Sequence, residues 1–352
     1  MTDAPFFAPR LTAADQAGTV PDLTTAPPIG WGILGAGKIA ASFARGIGER
    51  TPMHVAAVGS RTEDKAAAFA SENAPGATAH GSYEALCEDP NVDVVYVATP
   101  HPFHLDGALM AIAAGKHLLV EKPLTPRRSD SERLINAARD AGVFLMEAVW
   151  TRFLPHIAAM RGVIARGEIG QVTSIEADFN YSRPFNPEHR MWNMDLAGGA
   201  LLDLGIYPIQ LAHDLLGVPD EFLVRGTKAP TGADDHVAML ARWDSGQDAL
   251  LHTSLRAAGP VAARITGTEG RIEIPEQFHG PSNMIVYPNN ADPWTFYTPQ
   301  GEGKVYEAAE VARLIAAGAT ESPRHTWQDT LEIAALLDDA RAQVGVVYPG
   351  EE

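Results

Sequence analysis

Cysteine is almost absent from this 352-residue chain, Cys87 being the only one. No intramolecular disulfide can form, which excludes a small disulfide-stapled secreted fold and suits a reducing, cytoplasmic setting. Basic residues are also scarce: 27 Lys and Arg face 44 Asp and Glu, a formal charge of −17. Such a surface repels a phosphate backbone, so nucleic acid is not an expected partner. No apolar run approaches the roughly 18 residues of a membrane span, so no membrane association is expected. The start of the chain lacks a basic segment followed by an apolar one, and no twin-arginine pair precedes the first strand, so no secretory signal is expected. It carries Pro5, Pro9, Pro21, Pro27 and Pro28 instead. Residues 1–29 are therefore expected to form a poorly ordered extension. The histidines show no H-x-x-x-H or Cys-rich spacing, and no metal site is expected.

What remains is an ordinary globular composition, 45% hydrophobic and 20% charged. At this length a single hydrophobic core stops growing, so two domains are expected, 30–150 and 151–352. From Gly30 short apolar runs alternate with helical stretches. Strands are expected at Trp31–Leu34, His54–Ser60, Ala77–His80, Val92–Thr99, Lys116–Lys122 and Val143–Val149. Alternation of this kind implies βαβ units in a doubly wound parallel sheet, a Rossmann arrangement. After about Trp150 the rhythm changes. Thr173–Phe179 alternates, and two hairpins are expected, His236–Trp243 with Asp248–Leu255 and Val261–Gly267 with Arg271–Pro275. An α+β domain follows, with a mostly antiparallel sheet open on one face and covered on the other by helices at Phe153–Arg166 and Gly199–Leu216. Two more helices are expected at Glu307–Ala317 and Trp327–Val344, the last of them able to pack back on the Rossmann domain.

The run Gly35-Ala36-Gly37-Lys38-Ile39-Ala40 fits G-x-G-x-x-G/A directly after a strand and at the opening of a helix. Gly35 permits the tight turn, Gly37 lets backbone N–H groups approach a pyrophosphate, and Ala40 packs closely. The positive N-terminus of the helix favours the phosphates. At the end of the second strand NAD-specific sites place Asp or Glu. This chain has Ser60 and Arg61, with Lys65 a turn later. A guanidinium pairs well with a 2′-phosphate, so NADP(H) is preferred and NAD(H) remains open.

Three stretches, GILGAGKIA, VATPHPFH with AGKHLLVEKPLT, and GGALLDLGIYPIQL, resemble the glucose–fructose oxidoreductase / inositol dehydrogenase / MocA (Gfo/Idh/MocA) family. The segment Met146–Pro155 and the C-terminal ESPRHTWQDTLEIAALLDDAR look closest to its dimeric dihydrodiol dehydrogenase-like and NADP-linked sugar dehydrogenase branch. The resemblance runs from about Gly30 to the end of the chain. It implies that Lys122 of Glu121-Lys122-Pro123 sits beside the nicotinamide and the substrate hydroxyl. Taken alone, Lys122 reads as a solvated residue at a strand end. Asp203 and Tyr207 match the paired polar positions of the second domain; spaced i,i+4, they share a helix face. Without the resemblance they read as a capping Asp and a core Tyr.

The chemistry so implied makes Tyr207 the general acid/base, Lys122 the cation that favours its phenolate and a developing alkoxide, and Asp203 an orienting group. Thr99, Pro100, His101 and His104 match the segment that wraps ribose and nicotinamide, His101 standing where many members carry Asn. His104 reads equally well as satisfying backbone groups. Trp150 and Arg152 resemble substrate-pocket positions, or else a core aromatic and a surface ion pair. The function implied is hydride transfer between a nicotinamide cofactor and a CH–OH or carbonyl group of a sugar, an anhydro-sugar or a trans-dihydrodiol. An NAD-dependent glycosidase of the same fold and a non-catalytic dinucleotide sensor are the alternatives. Pairing of two or more copies through the open sheet face is expected.

Overall fold

The structure, a computed structural model, describes residues 17–351. Residues 1–16 of the expected extension lie outside the described residues. Further along it, Leu23–Thr25 forms a 3-10 turn with Leu23 buried, and the Asp22 carbonyl accepts from Arg313 Nη2 at 2.5 Å. Two compact units divide the chain. The first joins Pro21–Trp150 with Gly301–Ala334, and the second includes Thr151–Gln300 and Ala335–Glu352. The chain thus returns to the first unit after Gln300.

In the first unit six strands, β1 (Gly30–Leu34), β2 (His54–Gly59), β3 (Thr78–His80), β4 (Val94–Val97), β5 (His117–Glu121) and β6 (Leu145–Ala148), form a parallel sheet in the order β3-β2-β1-β4-β5-β6. All four residues of β4 are buried, as both-face coverage of a parallel strand requires. Helices α1 (Lys38–Arg50), α2 (Glu63–Asn73), α3 (Tyr83–Glu88), α4 (His104–Ala113) and α5 (Arg128–Ala141) alternate with the strands. One core gathers Leu34, Val95, Val97, Leu118 and Val120 from the strands with Ala108, Ala111, Leu134 and Ile135 from α4 and α5. Elsewhere in the unit Phe43 of α1 stacks on Tyr96 of β4 with ring centroids 4.1 Å apart, and Trp31 meets Phe43 edge-on at 4.9 Å. The strand order reverses between β1 and β4, and in open α/β sheets ligands bind at such a point, beyond the carboxyl ends of the strands.

In the second unit eight strands form a single sheet: β7 (Val172–Asn180), β8 (Glu221–Lys228), β9 (Asp234–Arg242), β10 (Asp248–Ser254), β11 (Ala263–Gly267), β12 (Gly270–Ile274), β13 (Met284–Pro288) and β14 (Trp294–Phe296). Their order is β14-β13-β12-β11-β7-β10-β9-β8. Every neighbouring pair is antiparallel except β7 with β10. Both expected hairpins are present as β9–β10 and β11–β12. Strands β8, β13 and β14 have no counterpart in the sequence reading; β8 is an exposed edge strand with one buried residue, and β14 has three residues. Ile175, Ala177 and Phe179 of β7 are buried, and α7 (Ile206–Leu216) lies on β7 and β10. Helix α6 (Pro155–Ala165) is tied to α7 by Arg161, whose Nη2 lies 2.6 Å from Asp214 Oδ2. The other face of the sheet carries Leu223, Leu240 and Leu250 on neighbouring strands, Leu250 being 56% exposed. Two further helices are α8 (Val305–Ala316) and α9 (Trp327–Val344). Among the described residues no helix is long and apolar enough to cross a membrane.

Candidate active site

The site begins at the turn between β1 and α1. Gly35 has φ 107°, and a Cβ there would lie 3.0 Å from the carbonyl carbon and oxygen of Ala98. Only glycine takes that conformation without strain. Gly37 differs: it is the N-cap of α1 in extended conformation, and a Cβ on it would meet nothing within 4 Å. Nothing among the described residues demands a glycine at 37, so its bareness keeps space open beyond the helix. The first N–H groups of a helix have no intrahelical acceptor and face that space with the positive end of the dipole. This cradle fits a pyrophosphate. Ala40 is fully buried behind it, Ala36 is half-buried, and Lys38 and Ile39 are exposed. An apolar side chain 42% exposed at a helix N-terminus, as Ile39 is, offers a surface for a flat ring.

At the end of β2, Ser60 is buried and its N–H donates to the His80 carbonyl at 3.2 Å. Arg61 is exposed, and Thr62 caps α2 by accepting from Lys65 N–H. Arg61 and Lys65 thus stand at the carboxyl edge of the sheet with their charged groups in solvent.

Beyond β4 the buried Oγ1 of Thr99 has no hydrogen-bond partner among the described residues, an orphaned polar atom that suits a ribose hydroxyl. Pro100 is exposed, and His101 is buried with its ring 5.7 Å from that of His104. His104 is enclosed: Nε2 lies 2.9 Å from the Thr99 carbonyl and Nδ1 2.9 Å from the Pro123 carbonyl. Burial holds its pKa below the usual value, with the two backbone carbonyls opposing. This is the backbone-tying role, and it fastens the loop after β4 to the residue after Lys122.

Glu121 ends β5 and accepts from the Tyr96 hydroxyl; Glu121 and Lys122 are both buried. Glu147 of β6 supports the same segment, accepting from Leu124 N–H at 2.8 Å and facing His325 Nε2 at 3.0 Å. The Trp150 ring carries Lys304 Nζ at 4.4 Å from its centroid, so one of its faces is engaged within the first unit.

In the second unit the stretch expected as one helix starts with a π turn, Leu201–Gly205, before α7. Asp203 lies in the π turn and Tyr207 in the first α turn, so the simple i,i+4 face is broken by a wider turn, a feature found often at functional sites. Asp203 accepts from Arg190 Nη2 at 2.9 Å. The Tyr207 ring packs against Phe179 and His279 at 5.1 and 5.2 Å. Arg152, expected at a substrate pocket, is buried with Nη2 3.0 Å from His213 Nδ1 and Nε 3.2 Å from Gln210 Oε1. That is the geometry of an interior tie to α7.

Asp234 anchors the π turn. Its Oδ2 accepts from Leu201 N–H at 2.6 Å, while Oδ1 has no partner among the described residues. Gly199, at φ 137°, leaves room for it; a Cβ there would fall 2.1 Å from Asp234 Oδ1. Burial raises the Asp234 carboxyl to about 6. A raised folded pKa stabilises below the unfolded value and loses that stability as pH rises through the folded one. Wild-type stability should therefore fall by about 3 kcal/mol between roughly pH 4 and pH 6. Asp234→Asn keeps the acceptor for Leu201 and should flatten this window. Denaturant melts of both proteins at each pH check it; parallel curves would remove Asp234 as the source.

Arg190, His279, Tyr96 and Glu147 escaped the sequence reading. Tyr96 had a signal, the only polar atom in an all-apolar strand. Arg190 and His279 lie in stretches without periodicity.

Residues 29–149 match the model of an oxidoreductase family with an NAD-binding Rossmann fold (GFO_IDH_MocA), and residues 157–273 match the GFO/IDH/MocA C-terminal domain. A trans-1,2-dihydrobenzene-1,2-diol dehydrogenase of Xenopus laevis is 36% identical over 332 residues, 91% of this chain and 99% of that protein. Its counterpart in Danio rerio is 37% identical, covering 90% and 97%. Among solved structures, a 3-ketoreductase of Actinomadura kijaniata in complex with NADP and TDP-benzene aligns with TM-score 0.79 and 29% identity, over 90% of this chain and 98% of that one.

Proposed function

The chain belongs to the GFO/IDH/MocA oxidoreductase family, and we propose that it is a cytoplasmic NADP-preferring dehydrogenase or reductase acting on a CH–OH or carbonyl group of a trans-dihydrodiol or sugar. One observation carries the reading. The open cradle at Gly37, the orphaned Thr99 hydroxyl and Lys122 all follow strands at the carboxyl edge of one parallel sheet, where a dinucleotide spans such folds. The dihydrodiol dehydrogenases and the NADP-bound ketoreductase among its relatives support the substrate class and the cofactor. The lone cysteine, Cys87, is buried and in no disulfide, as suits a reducing compartment.

Bound nicotinamide would supply the hydride acceptor or donor. The chain supplies the rest. Gly35, Gly37 and the α1 N-terminus hold the pyrophosphate; Ser60, Arg61 and Lys65 take the 2′-phosphate; Thr99 takes the ribose. Lys122 stabilises negative charge on the reacting oxygen, and Tyr207 exchanges the proton that must leave an alcohol or return to a carbonyl. Asp203, paired with Arg190, orients the polar groups around that oxygen. Leu223, Leu240 and Leu250 on the open sheet face favour pairing with a second copy.

Arg61→Ala should weaken NADPH binding by about 10- to 100-fold and leave NADH nearly unchanged, because only the former loses a charge-assisted pair. Fluorescence titration of both cofactors measures this, and equal losses would contradict 2′-phosphate recognition. Absorbance at the reduced-nicotinamide band, with a panel of dihydrodiols and aldoses, tests the activity. Net NADP reduction is expected; glycoside hydrolysis without net cofactor change would overturn it.

A further inference from the structure

Glu307, on the first turn of α8, takes no part in the chemistry above. It is 0% exposed, and neither carboxyl oxygen has a hydrogen-bond partner among the described residues. It lies close enough to Glu121 for the two carboxyls to act on each other. Glu121 is held by the Tyr96 hydroxyl and immediately precedes Lys122. The other charges facing Glu307 are Lys304 and Glu302, from the segment just before α8. Lys304 has its own partners: Nζ lies 3.3 Å from Glu302 Oε1, 3.4 Å from Ser42 Oγ and over the Trp150 ring.

An ionised carboxylate buried without a donor is strongly disfavoured, the more so beside a second acidic side chain. We propose that Glu307 is a positioning residue that acts through Glu121 on Lys122: the buried Glu307 carboxyl carries a proton, and the end of β5 keeps its place while that proton stays. Burial first, and the Glu121 charge second, push the Glu307 carboxyl well above the usual range, with Lys304 opposing. Loss of the proton sets like charges together behind Lys122, so cofactor binding should loosen at alkaline pH. The device rests on the proposed dinucleotide site, since its output is read there.

The test is NADPH affinity, by fluorescence titration from about pH 6 to about pH 10, for wild type and Glu307→Gln. The wild type should lose about ten-fold or more across this range, while the glutamine, neutral at every pH, should hold its neutral-pH affinity. Matching pH profiles in the two proteins overturn the positioning role alone. Absence of NADPH binding at every pH overturns the functional reading and this role with it. Infrared spectroscopy of the unliganded wild type reads the proton directly and needs no variant. A protonated-acid carbonyl band should persist at about pH 8, above the titration of Asp234. Its absence refutes the Glu307 proton even if Glu307→Gln fails to fold.

Discussion

Replacing Tyr207 by Phe should lower kcat by about 10²- to 10⁴-fold, the usual loss when a positioned general acid/base is removed. The expectation follows from what the substitution spares. The ring contacts with Phe179 and His279 do not involve the hydroxyl, so the packing at the start of α7 survives. The π turn is anchored separately, by Asp234 on Leu201. NADPH affinity should also survive, since the residues proposed to hold its phosphates and ribose all lie in the first unit. A folded Tyr207→Phe protein with kcat within about five-fold of wild type would show that the proton travels elsewhere. A fall in kcat and NADPH affinity together would mean that the change had disturbed structure.

Gly37→Asp should abolish useful cofactor binding while leaving the fold intact or slightly firmer. A Cβ at this position meets nothing within 4 Å, and Asp is a better N-cap than Gly by a few tenths of a kcal/mol. The carboxylate, however, would stand where the pyrophosphate must sit. Like charges so placed cost several kcal/mol, which is about 100-fold or more in affinity. Melting temperature and NADPH titration therefore move in opposite senses. The same substitution at Gly35 would fail differently, through strain at φ 107° and collision with Ala98, and should lower stability as well. If Gly37→Asp bound NADPH normally, the cradle would not be the phosphate site.

Much of this was legible in the residues because the first half of the chain repeats one physical pattern. Apolar strands such as Val94–Val97 buried on both faces, separated by amphipathic helices, permit few topologies, and the glycine turn falls directly after the first of them. The second half was legible only where hairpins are local. The β9 and β11 hairpins announce themselves through short polar turns, whereas the β7–β10 pairing is parallel between strands far apart in sequence. Nothing in the local pattern of β8 or β14 marks them, one being an exposed edge and the other three residues long. At the candidate site, the partners of the motif residues were not legible. That His104 ties Thr99 to Pro123, that Arg152 serves α7, and that Arg190 meets Asp203 are facts of three-dimensional proximity. The buried carboxyl of Glu307 was hidden for the same reason, since an acidic residue in the first turn of a helix ordinarily faces water.

The central claim is that a hydride leaves a substrate carbon for the nicotinamide ring while Tyr207 handles the proton. A trans-dihydrodiol or aldose deuterated at the carbon to be oxidised, incubated with NADP and the enzyme, tests it most directly, with mass spectrometry of the recovered cofactor. Deuterium should appear in the NADPH formed by the wild type and be nearly absent with Tyr207→Phe. Product formed with the label lost to solvent, or unlabelled NADPH, would contradict the account.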